Sequence, residues 1–166
     1  MKEKRKQETI SKRLLLTLLL IICYLLFDNP LHAQTAVRIE RLLEQETVSY
    51  QEAALLVMEA SERLDPADKT RVRDAFAFAR GRGWLPANAK AENAINLKDL
   101  SLLIMQAFDI KGGLFYTIFK NPHYAYRILV YHSIIQGRTD PLMNVSGELL
   151  LFTINRAMYL GARSNE

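Results

Sequence analysis

The sequence predicts an all-α protein. Helix-start signals recur along the chain, and runs that alternate apolar with polar residues are almost absent. Three segments, residues 53–58, 100–105 and 149–154, are apolar nearly all round. A helix without a polar face must be covered on several sides. We therefore expect these three helices to pack together at the centre of one domain, with amphipathic helices outside them.

The N-terminus is typical of an export signal. A basic stretch that ends at Arg13 precedes an apolar run over residues 14–27, which is short for a membrane span. Ala33 supplies the small residue that signal peptidase prefers, so we predict cleavage before Gln34. Residues 1–33 are then a signal peptide, and residues 34–166 form a helical domain in the periplasm or cell envelope. The alternative is an uncleaved anchor, which would contact the membrane only through residues 14–27.

The charge balance argues against nucleic-acid binding. The net charge of +4 is unevenly placed, because six basic and three acidic side chains precede residue 34. The remainder carries 16 basic and 15 acidic side chains, too even a balance to attract a polyanion. The single cysteine, Cys23, lies in the apolar run, which excludes a disulfide or a cysteine metal site in the exported part. Ile22 stands where a lipoprotein signal would have a small residue, which disfavours lipidation of Cys23.

The first half of the exported part shows three helices. A short amphipathic helix is expected over residues 36–45. Ser49 and Glu52 form a capping box for the next helix, which is expected to reach about residue 64. Asp65-Pro66 is a typical start for a third helix, and the glycines at positions 81 and 83 are expected to end it.

The second half shows four more helices. Asn96 is expected to cap the fourth, which should end near Gly112-Gly113. Residues 114–119 are expected to add one or two helical turns. Asn121-Pro122 starts a helix that should end at Gly137. Asn144 or Ser146 is expected to cap the last helix, which should reach about residue 160.

The caps of the three apolar helices are regularly spaced. Ser49, Asn96 and Asn144 follow one another at 47 residues (49 to 96) and 48 residues (96 to 144). The segments after them are similar: SYQEAALL, NLKDLSLL and NVSGELLL. A fixed period of this size indicates a repeat architecture.

These units resemble the S-layer homology (SLH) family. Ile134-Ile135-Gln136-Gly137 and Gly83-Trp84-Leu85 look like its Gly-Ile-Ile-x-Gly-like bend. Residues 48–52 and 95–99 look like the Ile-Thr-Arg-Ala-Glu-like start of its second helix. The resemblance covers most of residues 36–160. It implies three degenerate units in a pseudo-threefold bundle that attaches proteins to cell-wall polysaccharide.

The chain departs from the family pattern at the positions that would bind the polymer. Tyr50, Leu97 and Val145 stand where the resemblance implies an arginine. The acidic residue of the motif is retained as Glu52 in the first unit and Asp99 in the second, and it is replaced by Gly147 in the third. The resemblance therefore predicts the fold more directly than it predicts an anionic glycan.

No residue pattern indicates catalysis, a cofactor or a metal. His123 and His132 belong to no metal-binding motif, and neither a Gly-x-Ser-x-Gly elbow nor a phosphate loop occurs. His132 is expected in the core and His123 on the surface. Asp65 and Asp68 look like paired carboxylates, but helix capping explains both. We predict a protein that is not an enzyme.

The candidate binding residues lie at the bends. Arg80, Arg82 and Trp84 place cations beside an aromatic ring, and Arg138 occupies the matching bend of the third unit. They could form a platform for a sugar or an anion; the alternative is that Trp84 plugs the core and the arginines are solvated. An aromatic group surrounds one connection and is interpreted as core or as a partner surface: Phe115, Tyr116, Phe119, Tyr124, Tyr126 and Tyr131.

These observations predict a non-catalytic function in the envelope. The domain is expected to attach to cell-wall polysaccharide or peptidoglycan, or to serve as an envelope scaffold. The alternative is a periplasmic protein–protein adaptor in which the glycan site is lost. Replacing Arg82 and Arg138 by alanine is expected to weaken association with the envelope without lowering thermal stability.

Overall fold

The computed structural model describes residues 30–63 and 69–163. Within these ranges the chain forms seven helices and no strand, which confirms the all-α prediction. The helices are α1 (Pro30–Leu43), α2 (Tyr50–Ala60), α3 (Lys69–Gly81), α4 (Leu97–Ala107), α5 (Leu114–Phe119), α6 (Pro122–Tyr131) and α7 (Gly147–Arg163).

The chain divides into two compact units, Met1–Arg41 and Leu42–Glu166. In the first unit, the side chains of residues 37–41 on α1 are exposed. The predicted apolar run and Cys23 lie outside the described residues, while the predicted cleavage point lies within α1. None of the described helices is long and apolar enough to cross a membrane.

The second unit contains the hydrophobic core, and α4 is its most deeply buried helix. Residues 99–105 of α4 are all buried. Helix α2 packs against α3, α4 and α7, and α6 packs against α4. The expectation of three fully covered helices is right for α4 and wrong for α7. Helix α7 buries Leu150 and Ile154 but leaves half of Phe152 in solvent, because one side of this helix faces outward.

A closed ring of backbone hydrogen bonds joins the residues that precede the three caps. The Val48 N–H donates to the Val145 carbonyl (2.8 Å), the Val145 N–H to the Ile95 carbonyl (3.1 Å), and the Ile95 N–H to the Val48 carbonyl (2.9 Å). All three side chains are fully buried. Buried backbone groups need such partners, so the three chain segments are fixed against one another at the centre of the unit.

A second set of backbone bonds satisfies the first N–H of each central helix. The Tyr50 N–H donates to Asn93, the Leu97 N–H to Met143 and the Gly147 N–H to Gln45, each at 3.0 Å. These N–H groups have no partner within their own helix. Each central helix therefore starts against a loop that lies elsewhere in the sequence.

The cap of α7 is Ser146, not Asn144. Its Oγ accepts from the Leu149 N–H at 3.2 Å, as the Ser49 Oγ accepts from Glu52 and the Asn96 Oδ1 from Asp99. The cap of the third segment therefore lies two residues later than the alignment of SYQEAALL, NLKDLSLL and NVSGELLL placed it. In the corrected register Gly147, and not Val145, aligns with Tyr50 and Leu97, and Leu149 aligns with Glu52 and Asp99.

Four helices end in the same kind of turn, which contains one residue in the left-handed conformation. Glu62, Gly83, Asp109 and Ser133 have φ values of 56°, 72°, 53° and 58°. After each of them, the next N–H reaches back to a carbonyl of the last helical turn, as in a Schellman motif. Helices α4 and α6 therefore end before the glycines at 112 and 137 that were expected to stop them. Three of the four left-handed residues are not glycine, so the sequence signal for these ends is weak.

Ser133→Gly is expected to stabilise the protein. A left-handed conformation costs a residue with a Cβ about 1–2 kcal/mol, and a glycine avoids this strain. Glycine also has more conformational freedom in the unfolded chain, which cancels part of that gain. We expect a net gain of roughly 0.5–1 kcal/mol in the free energy of unfolding, measured by urea denaturation. The converse exchange at the equivalent bend, Gly83→Ser, should lose a similar amount, since no atom lies within 4 Å of a Cβ placed at Gly83. A loss on Ser133→Gly would contradict the assigned conformation.

Candidate functional site

A polar cleft of about 440 Å³ opens between the starts of α2, α4 and α6. Its walls come from three helix starts and from the loop that follows the bend at Gly83. The lining residues are Tyr50, Pro86, Asn88, Asn96, Lys98, Asp99, Asn121, Pro122 and His123. The backbone bonds from Tyr50 to Asn93 and from Lys98 to Pro141 hold two of these helix starts in place.

A buried carboxylate lies at the bottom of the cleft. Asp99 is only 3% exposed. Its Oδ2 accepts from the Tyr50 hydroxyl at 2.5 Å and from the Asn96 Nδ2 at 2.9 Å. Asn96 is itself fixed, since its Oδ1 caps α4 by accepting from the Asp99 N–H at 3.0 Å. The three side chains form a hydrogen-bonded network in which Tyr50 comes from α2 and Asp99 from α4.

The Tyr50 phenol is held in its protonated form. Burial first, and then the hydrogen bond and negative charge of Asp99, raise the pKa of Tyr50 well above its ordinary value. The phenol therefore remains a hydrogen-bond donor to Asp99 at any physiological pH. Tyr50 occupies the position where the family resemblance implies an arginine, so a neutral donor stands where a cation was expected.

The Tyr50 network predicts a loss of stability at alkaline pH. Above pH ~10 the phenol ionises in the unfolded chain but not in the folded one, so the folded state binds more protons and stability falls by up to about 1.4 kcal/mol per pH unit. Below pH ~10 the phenol is protonated in both states, and the full stabilisation by the Tyr50–Asp99 hydrogen bond is present. Tyr50→Phe should lower the free energy of unfolding by about 1–3 kcal/mol at pH 8. Urea denaturation should show that the gap in this free energy between wild type and variant narrows between pH 10 and 11. A constant gap across that range would contradict the raised pKa.

The rim of the cleft offers mixed hydrogen-bonding groups. Asn88, Asn121 and His123 are exposed and Lys98 is half-buried. The Asn121 Oδ1 accepts from the His123 N–H at 2.8 Å and so caps α6. Amide, ammonium and imidazole groups over a fixed floor suit a polar ligand such as a sugar. Across the described residues, no three His, Cys, Asp or Glu side chains are grouped to hold a metal ion.

The bend residues Arg82 and Trp84 lie together, and Arg80 lies apart from them. The Arg82 guanidinium stacks over Phe78 at 4.6 Å and over Trp84 at 5.9 Å from the ring centres. Arg80 instead stacks over Phe76 at 5.2 Å from the ring centre. Two residues turn a helix by about 200°, so Phe76 and Phe78 lie on nearly opposite sides of α3. Trp84 is 8% exposed, so its ring closes the core and its face is not an open platform.

The third bend does not repeat this arrangement. Arg138 is exposed there, while the apolar positions of the bend are filled by the buried Ile134 and Ile135. Arg80, Arg82, Trp84 and Arg138 are all absent from the lining of the cleft. The sequence singled out the bends because their cations and aromatic ring are adjacent in the chain. Tyr50 and Asp99 were named only as positions of the resembled motif, and nothing in the sequence indicated that these residues, 49 positions apart, bond to each other.

The aromatic group around α5 and α6 is divided between core and surface. Tyr116 is buried, Tyr124 and Tyr126 are half-buried, and Phe119 and Tyr131 are exposed. The side chain of Phe115 lies outside the description. His132 was expected in the core and is exposed, because α6 ends at Tyr131 and His132 forms its C-terminal cap.

Comparison of the chain with protein-family models, curated proteins and solved structures finds no match.

Proposed function

We propose that the protein is an exported, non-catalytic component of the cell envelope, built on three degenerate SLH-like units in a pseudo-threefold arrangement. The two sets of backbone bonds support this repeat assignment. The first set joins residues 48, 95 and 145 of three segments in a closed cycle, and in the second set residues 50, 97 and 147 each donate to the loop that precedes another of the three caps. The charged N-terminus with its apolar run supports export.

We propose that the polar cleft binds a stretch of cell-wall glycan. The observation that carries this proposal is the fixed floor formed by Tyr50, Asn96 and Asp99 beneath a rim of exposed amides. A sugar presents many hydroxyl groups and needs such positioned donors and acceptors. Because Tyr50 replaces the expected arginine, the glycan that suits this cleft is weakly charged rather than strongly anionic.

The second candidate is a periplasmic protein–protein adaptor. The loss of cations at the helix starts favours it, since Leu97 and Gly147 stand where arginines would bind a polymer. In this alternative the repeat scaffold is retained and the partner is an envelope protein.

Sedimentation with purified peptidoglycan sacculi tests the glycan proposal. Residues 34–166 are incubated with sacculi that retain or lack their secondary polymers. Saturable sedimentation with the sacculi is the expected result, and its dependence on the polymers identifies which glycan is bound. Sedimentation no greater than that of an unrelated control protein would support the adaptor instead.

Two variants separate the cleft from the bends. Asn88→Ala with Lys98→Ala removes two rim groups and should weaken sedimentation roughly tenfold, the value of about two hydrogen bonds.

Arg82→Ala with Arg138→Ala tests the bend platform, and the exposed cation–π contact of Arg82 is worth only ~0.5–1 kcal/mol of stability. Weaker sedimentation of this variant with near-normal thermal stability would add the bends to the site. Unchanged sedimentation would remove them from it.

A further inference from the structure

Helix α5 exposes three large apolar side chains. Leu114 is 73% exposed, Ile118 62% and Phe119 66%. Leu114 and Ile118 are four residues apart and so share one side of the helix, with Phe119 next to them. Large apolar side chains that lie together in solvent mark a surface for a partner or a membrane.

The helix is held firmly while these side chains remain outside. Tyr116 is buried, and its hydroxyl accepts from the Gln106 Nε2 at 2.5 Å. Its ring packs so closely on the chain at Gly112 that a Cβ there would lie 2.3 Å from the Tyr116 Cδ1. The exposed side chains are thus carried by a turn that is anchored to α4.

Basic side chains outnumber acidic ones along the chain around α5. Residues 110–139 contain no aspartate or glutamate, and their cations are Lys111, Lys120, Arg127 and Arg138. Lys111 and Lys120 bracket α5 and are both exposed. The nearest acids in sequence are Asp109 and Asp140. This combination complements an anionic surface.

We propose that α5 docks the protein on an anionic phospholipid membrane. Leu114, Ile118 and Phe119 enter the boundary between headgroups and acyl chains, and Lys111 and Lys120 lie among the phosphates. Long cationic side chains can cover apolar surface while their charge stays with the headgroups, and each cation near such a membrane strengthens binding. A short helix with exposed apolar side chains and an exposed lysine at each end suits a flat anionic surface. This surface shares no residue with the lining of the cleft, and its role does not depend on glycan binding.

Depth-dependent fluorescence quenching tests this proposal directly. The full chain carrying Phe119→Trp is reconstituted into phosphatidylglycerol–phosphatidylcholine vesicles whose acyl chains are brominated. The new tryptophan should show a blue-shifted emission and strong quenching after subtraction of the wild-type signal, which comes from Trp84 alone. Tyr159→Trp on α7 is the matched control, because Tyr159 is 69% exposed, and it should remain unquenched. Residues 1–33 are present in every sample and contribute equally.

The lysines provide the second arm of the test. Lys111→Gln with Lys120→Gln should lower the docking equilibrium, read from the quenched fraction, by roughly 30-fold. Vesicles of pure phosphatidylcholine should lower it similarly. Absence of quenching in Phe119→Trp, or equal quenching in Tyr159→Trp, would overturn membrane docking by α5. Quenching that is unchanged by the lysine substitutions and by the lipid charge would overturn the assignment to anionic lipid.

Discussion

Replacing Gly147 with alanine is expected to destabilise the second unit more than any other single-methyl change. A Cβ at Gly147 would lie 1.6 Å from the carbonyl oxygen of Leu42 and 2.6 Å from its carbonyl carbon. Both are backbone atoms, so neither can move aside as the end of a flexible side chain would. The Gly147 N–H also donates to Gln45 at 3.0 Å, and separating the two segments would break this bond.

We expect Gly147→Ala to cost at least about 3 kcal/mol, a large part of the 5–15 kcal/mol that is typical of a domain. Urea denaturation followed by circular dichroism measures this loss, and failure to fold would be its extreme. Gly81→Ala is the matched control, because nothing lies within 4 Å of its Cβ position and it ends α3. It should be neutral or gain up to about 1 kcal/mol. Equal stability of the two variants would contradict the close approach of Leu42.

Asp99→Ala is the second substitution with a large expected effect. The change leaves the buried Tyr50 hydroxyl and the half-buried Asn96 amide without their shared acceptor at the bottom of the cleft. A buried donor without a partner costs ~1–3 kcal/mol and a half-buried one less, so the free energy of unfolding should fall by about 2–4 kcal/mol. It also removes an acidic group from the first turn of α4, where negative charge is favourable.

Glu52→Ala is the matched control for Asp99→Ala. Like Asp99, Glu52 lies three residues after a helix cap, but it is half-buried and its bond from the Gln45 Nε2 is long, at 3.4 Å. It should cost less than about 1 kcal/mol. The double variant Tyr50→Phe with Asp99→Ala should lose less than the sum of the single losses, since no phenol is then left unpaired. Additive losses would show that the two side chains do not act as one network.

The helical elements could be predicted because their signals are local. Ser49 with Glu52, Asn96 with Asp99, and Asn121 with Pro122 are starts that the structure bears out. The ends were less predictable. Asp109 and Ser133 adopt a conformation that sequence rules assign to glycine, because the buried residue that follows each of them holds the chain in place. The alignment of the third segment on Asn144 was wrong because Asn144 and Ser146 are both good caps, and the hydrogen bond from the Leu149 N–H to Ser146 distinguishes them.

The candidate site could be predicted much less well. Arg80 and Arg82 lie close to Trp84 in the chain, so the sequence predicted a binding platform at this bend. In the structure the Trp84 side chain is buried. The cleft depends on Tyr50 and Asp99, and each has an ordinary local explanation as a helix-start residue. Their pairing exists only because α2 and α4 start side by side.

The sequence by itself determined the all-α class, most helix starts and the apolar character of the central helices, because capping and hydrophobic periodicity act within a few residues. Only the tertiary structure decided which apolar side chains are covered, why Gly147 must be glycine, and that Asp99 has Tyr50 as a partner. Those outcomes depend on close approach between segments about 50 to 100 residues apart, and the closed cycle of backbone bonds at residues 48, 95 and 145 is what sets that approach.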